Sequence, residues 1–277
     1  MQEIKRNKRD YILTIQARGG EITVRPPIRI NFQVDKSDEG QLNKAQITIY
    51  NLSERNRLAL VKDSEEQKTI PVNLSVGYDG RFETIYKGTI LTGANQRRGA
   101  DIITSISGLD GGADGLFSFT NRTVEGGERA VDACLADMPN TTTGKINTRP
   151  VLSRPKVLVG NSLKLIEETI GEDETWFIDN EQLFIIKDNE TVSNFIPVVS
   201  AATGLISTPT REFSKVTFET KINPAIKLGG RVNLVSTTAP YLNGIYKIRT
   251  MSYSGDNFGD SWNQVCTGMI IKDAVVI

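Results

Sequence analysis

The chain contains no histidine. That absence removes the commonest general base, the commonest metal ligand and every Ser-His or Cys-His arrangement for nucleophilic catalysis. Cysteine is limited to Cys134 and Cys266, far apart in sequence. Neither a disulfide framework nor a CxxC metal site can be built from them, and two buried, reduced thiols are expected. There is no excess of charge, with 33 Lys and Arg against 33 Asp and Glu. A zero balance supplies no whole-molecule field to gather nucleic acid or an anionic membrane. No apolar run has the length of a membrane span, so no membrane insertion by this chain is expected. The first residues are polar and charged, unlike a secretory signal. Lys5, Arg6, Lys8 and Arg9 are expected to form a solvated basic arm.

What is present is β-structure. Hydrophobic residues at 38% and charged residues at 24% place the chain among globular proteins, and its length suffices for two domains with sizeable cores. The organising stretch is 28–61. Ile28, Ile30, Phe32 and Val34 alternate with Arg29, Asn31 and Gln33; a polar turn follows at 35–40; then Ala45, Ile47 and Ile49 alternate with Gln46, Thr48 and Tyr50. Side chains alternate faces along a strand, so this reads as a β-hairpin with one buried face. Asn51-Leu52-Ser53 ends it, and Ser53 is placed to cap a short helix over 54–63 carrying Leu58, Leu60 and Val61. Strands are also expected at 11–17, 70–76, 82–91 and 102–107, with Gly19-Gly20 as a break and a polar turn at 95–99. Six strands and one helix in about a hundred residues suggest a small antiparallel barrel or sandwich.

After Gly108 the pattern changes. The Gly- and Asp-rich stretch 108–115 reads as a flexible connection. A helix is expected over 123–138, a loop over 140–144, and an extended linker between Pro150 and Pro155. A second helix, capped by Asn161 or Ser162, carries Leu163, Leu165, Ile166 and Ile170 and ends at Gly171. Residues 176–186 read as two short strands around an Asp-Asn-Glu turn. From 206 the chain returns to β, with strands at 215–220, 231–235, 244–254 and 262–271. Val216 and Phe218, Val232 and Leu234, Tyr246, Ile248 and Thr250, and Val265, Thr267 and Met269 sit at period two. No helix is expected there.

No motif carries chemistry. The 108–115 stretch lacks the Lys-Ser/Thr ending of a phosphate loop and the spacing of a calcium loop. Glu167, Glu168 and Glu172-Asp173-Glu174 read as solvated acids. Asp35 with Asp38, and Asp256 with Asp260, read as turn acids. Trp176 and Trp262 read as core rather than stacking platforms. Arg97-Arg98 with Arg18 read as solvent-facing. No catalytic, cofactor-binding or metal-binding residues are expected.

Three runs resemble a known family. The first is Ile28 through Lys36, with Asn43-Lys44-Ala45 and Ile47-Thr48-Ile49-Tyr50-Asn51-Leu52-Ser53. The second is the helix at 163–170 with the Trp176-Phe177-Ile178-Asp179-Asn180 hairpin ending at Ile186. The third runs from Asn223-Pro224 to Val232, then Gly244-Ile245-Tyr246-Lys247-Ile248, Gly255-Asp256-Asn257 and Trp262. Together they are similar to baseplate hub proteins of contractile-tailed bacteriophages. The resemblance implies a mainly β fold with an α+β insert: a tail-tube-like antiparallel β-barrel domain at 1–108, a helix-plus-hairpin middle region at 109–205, and a second such barrel at 206–277. It implies a structural, non-enzymatic homotrimer in the virion's tail baseplate, assembled in the host bacterial cytoplasm. Its partners would be the tail tube protein, the central spike protein and baseplate wedge proteins, with viral DNA passing through the lumen unbound. A distal tail or tube-initiator ring protein is the alternative, and a tail-associated cell-wall hydrolase a more distant one.

Overall fold

Every alternating run contains a strand in a computed structural model, which describes residues 8–65, 69–126, 129–146, 152–271 and 275–276, without the side chains of 62–65 and 275–276. Lys5, Arg6 and Pro150 lie outside the described residues. In chain order the first section holds β1 (Arg9–Ala17), β2 (Gly20–Val24), β3 (Ile30–Ser37), β4 (Lys44–Tyr50), α1 (Glu54–Glu65), β5 (Ile70–Tyr78), β6 (Arg81–Arg98) and β7 (Asp101–Leu109). The middle holds α2 (Gly112–Phe117), β8 (Phe119–Val124), α3 (Ala130–Leu135), β9 (Thr142–Ile146), β10 (Lys156–Asn161), α4 (Ser162–Glu167), β11 (Glu174–Asp179), β12 (Gln182–Lys187) and β13 (Glu190–Thr191). The rest holds β14 (Val198–Ser200), β15 (Thr210–Glu212), β16 (Lys215–Lys221), β17 (Arg231–Val235), β18 (Gly244–Asp256), β19 (Trp262–Met269) and β20 (Val275–Val276).

Several expectations are corrected. The Gly19-Gly20 break belongs to a hairpin, with Arg18-Gly19 as its turn and Gly20 opening β2, which adds Ile22 and Val24 to the core. The 95–99 stretch is strand up to Arg98, because polar side chains suit a strand wetted on both faces; only Gly99, at φ 64°, makes the turn. Leu58 points outward from α1 at 55% exposure while Leu60 is buried. The helix over 123–138 shrinks to α3, since Thr123 and Val124 end β8. The 140–144 loop contains the start of β9, and the chain after Pro155 is β10, paired along β8. Asn161 caps α4 by accepting the Lys164 amide at 3.1 Å, and the helix ends at Glu167, ahead of Gly171. The last section contains a short 3₁₀ turn at Pro240–Leu242. In β19 the buried set is Trp262, Gln264 and Cys266, opposite to Val265, Thr267 and Met269. Gln264 tolerates burial because its Oε1 accepts the Asn223 amide at 3.2 Å. Arg9 is no free arm: it opens β1 and donates to the carbonyls of Asp256, Gly259 and Asp260.

The largest sheet runs β15-β16-β19-β18-β3-β4-β7-β6-β5-β1-β2. The first and last sections of the chain meet in the antiparallel β3–β18 ladder, from Asn31↔Asp256 to Ser37↔Thr250. The last section also closes on itself. β17 lies on β18 and β14 lies parallel on β17; after a 3₁₀ turn, Ile206 donates to the Glu219 carbonyl and Lys221 to that of Gly204, both at 2.8 Å. The strand that closes this barrel begins at Val198, upstream of residue 206.

One apolar core runs beneath both ends of the chain, and Phe32 of β3 meets Trp262 of β19 edge-on at 5.3 Å. A second core belongs to the middle section. The β11–β12 hairpin is the wall between them. Trp176, Ile178, Leu183 and Ile185 face the second core, while Phe177 and Ile186 face the first. A strand pair buried on both faces needs continuous apolar sequence, which is what 176–178 and 183–186 supply.

At the seam, Gly255 has no room for a side chain: a Cβ there would lie 2.2 Å from the Phe32 ring. Gly255→Ala is expected to lower stability by about 1–3 kcal/mol through overpacking. Thermal melts would show a lower Tm, and an unchanged Tm would contradict this account of the seam.

Candidate functional site

Directly paired residues on neighbouring strands project to the same face, so the sheet can be read in rows. One row crosses seven strands and both ends of the chain: Lys221, Asn263, Ser254, Gln33, Gln46, Ser107 and Thr92. All but Lys221 are uncharged and polar. They clasp one another. Gln33 Nε2 donates to Ser252 Oγ at 2.5 Å and to Asp35 Oδ1 at 2.9 Å, Ser254 Oγ donates to Gln33 Oε1, and the hydroxyls of Thr92 and Ser107 lie 2.5 Å apart. This outward face is continuous and carries no cleft chemistry.

Two buried ionic joints hold the middle section against the core side of the sheet. In the first, Asp110 is fully buried and accepts the amides of Asn180 and Glu181 at 2.6 and 2.7 Å. Those amides point inward because Asn180 and Glu181 adopt φ of 54° and 61° in the β11–β12 turn. Asn43 donates to the Ile178 carbonyl at 2.6 Å, and Lys36 pairs with Asp179. Asp114, also buried, accepts the Asn140 amide at 2.8 Å and the Thr141 hydroxyl at 2.8 Å. The 108–115 stretch is therefore a packed hinge-pin rather than a flexible connection. Its glycines permit close approach, since a Cβ at Gly111 would sit 2.7 Å from Ile178.

In the second joint Asp38 is fully buried, with Arg249 Nε 2.9 Å from its carboxylate. The two face each other as charges without hydrogen-bond alignment. Arg249 also pairs with Asp188 at 2.8 Å, and Lys247 donates to the carbonyls of Lys187 and Asp188 at 3.2 and 3.1 Å. Burial pushes Asp110 up to about 7, helped by neighbouring Asp179 and opposed by Lys36. Burial pushes Asp38 up to about 6, opposed by Arg249 and Lys247. Burial lowers Lys247 to about 8, opposed by Asp38.

The other residues singled out in the sequence do not converge. Asp38 is a buried ion-pair partner rather than a turn acid, while Asp256 pairs with Arg29 at 2.6 Å and caps the turn after β18. Trp176 and Trp262 are core residues, each 5% exposed. Arg97 donates to the Gly99 carbonyl within its own exposed turn. Among the described residues no His, Cys, Asp or Glu cluster fits a metal ion, and no helix is long and apolar enough to cross a membrane. The buried joint residues Lys36, Asp38, Asp110 and Lys247 escaped sequence reading. Asp110 beside Gly111-Gly112 carries the one local signal, an acid where the backbone can approach closely.

A family model described as "Baseplate hub gp41" matches residues 12–262. No curated protein matches the chain. Among solved structures, a tail protein from Neisseria meningitidis MC58 is 13% identical, with 95% of this chain and 99% of that one covered and a TM-score of 0.59. The 43 kDa tail protein of prophage MuSo2 from Shewanella oneidensis is 11% identical over 95% and 98%, with a TM-score of 0.60. The E. coli c3393 protein, a component of the type VI secretion system, is 7% identical over 94% and 77%, with a TM-score of 0.65. At these identities the likeness is one of fold.

The joints predict a pH dependence. Asp110 and Asp38 are carboxylates whose folded values lie above the ordinary 3.8. Between that value and the raised ones the folded chain binds more protons than the unfolded chain, so their contribution to stability falls as pH rises through about 4 to 7. Asp110→Asn is expected to flatten this slope in urea midpoints measured between pH 4.5 and 7.5. An identical slope in the variant would refute it.

Proposed function

The chain belongs to the baseplate hub gp41 family, and from that premise we propose that three copies form a ring joining the hexameric tail tube to the central spike. As a baseplate hub protein of a phage tail its role is structural rather than catalytic. Residues 1–108 and 206–277 are read as two tube-like modules, the second closed by the strand at Val198–Ser200, and 109–205 as the insert. A trimer of such chains offers six modules, which matches a hexameric neighbour by symmetry.

The observation that carries this reading is the unbroken β3–β18 ladder with its single polar face. Side by side, the modules present Asn263, Ser254, Gln33, Gln46, Ser107 and Thr92 as one surface, which we assign to the lumen. Phosphate is gripped by Lys and Arg, and the resulting affinity is strong and salt-dependent. A row of amides and hydroxyls leaves passing DNA free to slide. The spike and the wedge proteins are assigned to the surfaces outside this face, and assembly to the host cytoplasm.

Light scattering on the purified chain at high concentration is expected to give three times the 30.6 kDa of one chain. Gln33→Lys with Gln46→Lys in assembled tails is expected to slow DNA release without changing particle mass. A strictly monomeric chain absent from tails, or release unchanged by the added lysines, would count against the ring and the lumen assignment respectively.

A further inference from the structure

The zero net charge is unevenly divided. Residues 109–205 hold 8 basic and 15 acidic side chains, a net of −7; residues 1–108 hold 17 and 13, and 206–277 hold 8 and 5, nets of +4 and +3. Three of the insert's acids, Asp179, Glu181 and Asp188, are paired with Lys36, Lys87 and Arg249 of the same chain. The insert remains acidic without them.

Two sheet faces break the rule that outward strand positions are polar. The first is the β8–β10 ribbon. Its inner side buries Thr120, Val124 and Leu158, yet its outer side exposes Phe119, Val157 and Val159 at 59, 66 and 55%. The remaining outward positions, Asn121, Thr123 and Asn161, are also uncharged. The second face is on the last barrel, where the row Val198–Asn233–Ile245 and the neighbouring pair Ser200–Val235 carry no charge. Val198, Val235 and Ile245 are 46, 39 and 48% exposed. One row away on this same face, Lys247 is fully buried beneath the chain's own insert at Lys187 and Asp188. The cover stops there.

We propose that these two faces form one head-to-tail contact, in which the β8–β10 ribbon of one copy docks on the β14–β17–β18 face of the next. The proposal rests on the ring reading above and names its interface. Charge-depleted apolar centres are what protein interfaces bury. A closed ring built from one repeated contact needs two different patches per chain, each used once. A foreign partner accounts for one patch and leaves the other bare. Charge selects the pairing: with those three same-chain pairs set aside, insert against insert sets −4 on −4, whereas insert against the last barrel, which loses Arg249, sets −4 on +2.

Cys134 and Cys266 are both fully buried, so introduced surface thiols report on the contact alone. With Val159→Cys and Ile245→Cys in one chain, mild oxidation is expected to give covalent trimers on a non-reducing gel. Each single variant should stay uncross-linked, and an exchanged mixture of the two should give covalent dimers. Val159→Asp is expected to abolish the trimer mass, and adding Ile245→Lys to restore it. Cross-linking of Val159→Cys to itself would overturn the proposal. So would the lack of any cross-link in a particle of trimer mass, which leaves the ring reading standing. A monomeric wild-type mass would overturn both.

Discussion

The β3–β18 ladder is the constraint on which the rest depends. It joins strands more than two hundred residues apart in sequence, and it does so in a fixed register from Asn31↔Asp256 to Ser37↔Thr250. A slip of one residue would turn Phe32 and Val34 to solvent and Gln33 into the core, so the register is enforced by burial. Phe32 against Trp262 and the bare Gly255 pin it on the core side, while the Gln33, Ser252 and Ser254 clasp pins it on the polar side. Because the ladder is intact, the two ends of the chain are one sheet with one core, and the outward face is common property of both.

The insert is attached by a different kind of force. Its hairpin β11–β12 belongs to two cores at once, which is a packing constraint, but its position is set by buried charge. Pairing a buried charge offsets its desolvation only when geometry and hydrogen bonds are satisfied. Asp110 meets that condition through two inward amides and sits near the Lys36–Asp179 pair. Asp38 meets it less fully, since its carboxylate faces Arg249 without alignment. Such groups contribute little net stability compared with apolar substitutes, but they penalise any other seating of the insert, because each misplacement strands a charge in the interior.

What the sequence discloses divides along the same line. Alternation is local, and the strands at 30–37, 44–50, 70–78, 231–235 and 244–256 were legible from it, as were the Asp-Asn-Glu turn and the Asn161 cap. Errors arose where a residue's environment is set by distant partners. Gln264 is buried because Asn223 reaches it, which reverses the apparent face of β19. Asp38 and Asp110 look like turn and loop acids until Arg249 and the Asn180–Glu181 turn arrive from elsewhere in the chain. The polar face itself was visible as alternation, but its continuity across seven strands exists only in the pairing of β3 with β18.

The neutrality of the chain is best understood as a product of docking. Three of the cations that face the insert, Lys36, Lys87 and Arg249, pair with Asp179, Glu181 and Asp188, and a fourth, Lys247, donates to the insert's carbonyls. Arg29, near the start of the chain, is matched by Asp256, near its end. On the shared face, Lys221 is the one charged member of the row of amides and hydroxyls. If this face lines the lumen, as proposed, it has to be wet without being cationic. The acidic middle section takes up Lys36, Lys87 and Arg249 at the joints, so its composition offsets part of the excess positive charge at the two ends of the chain.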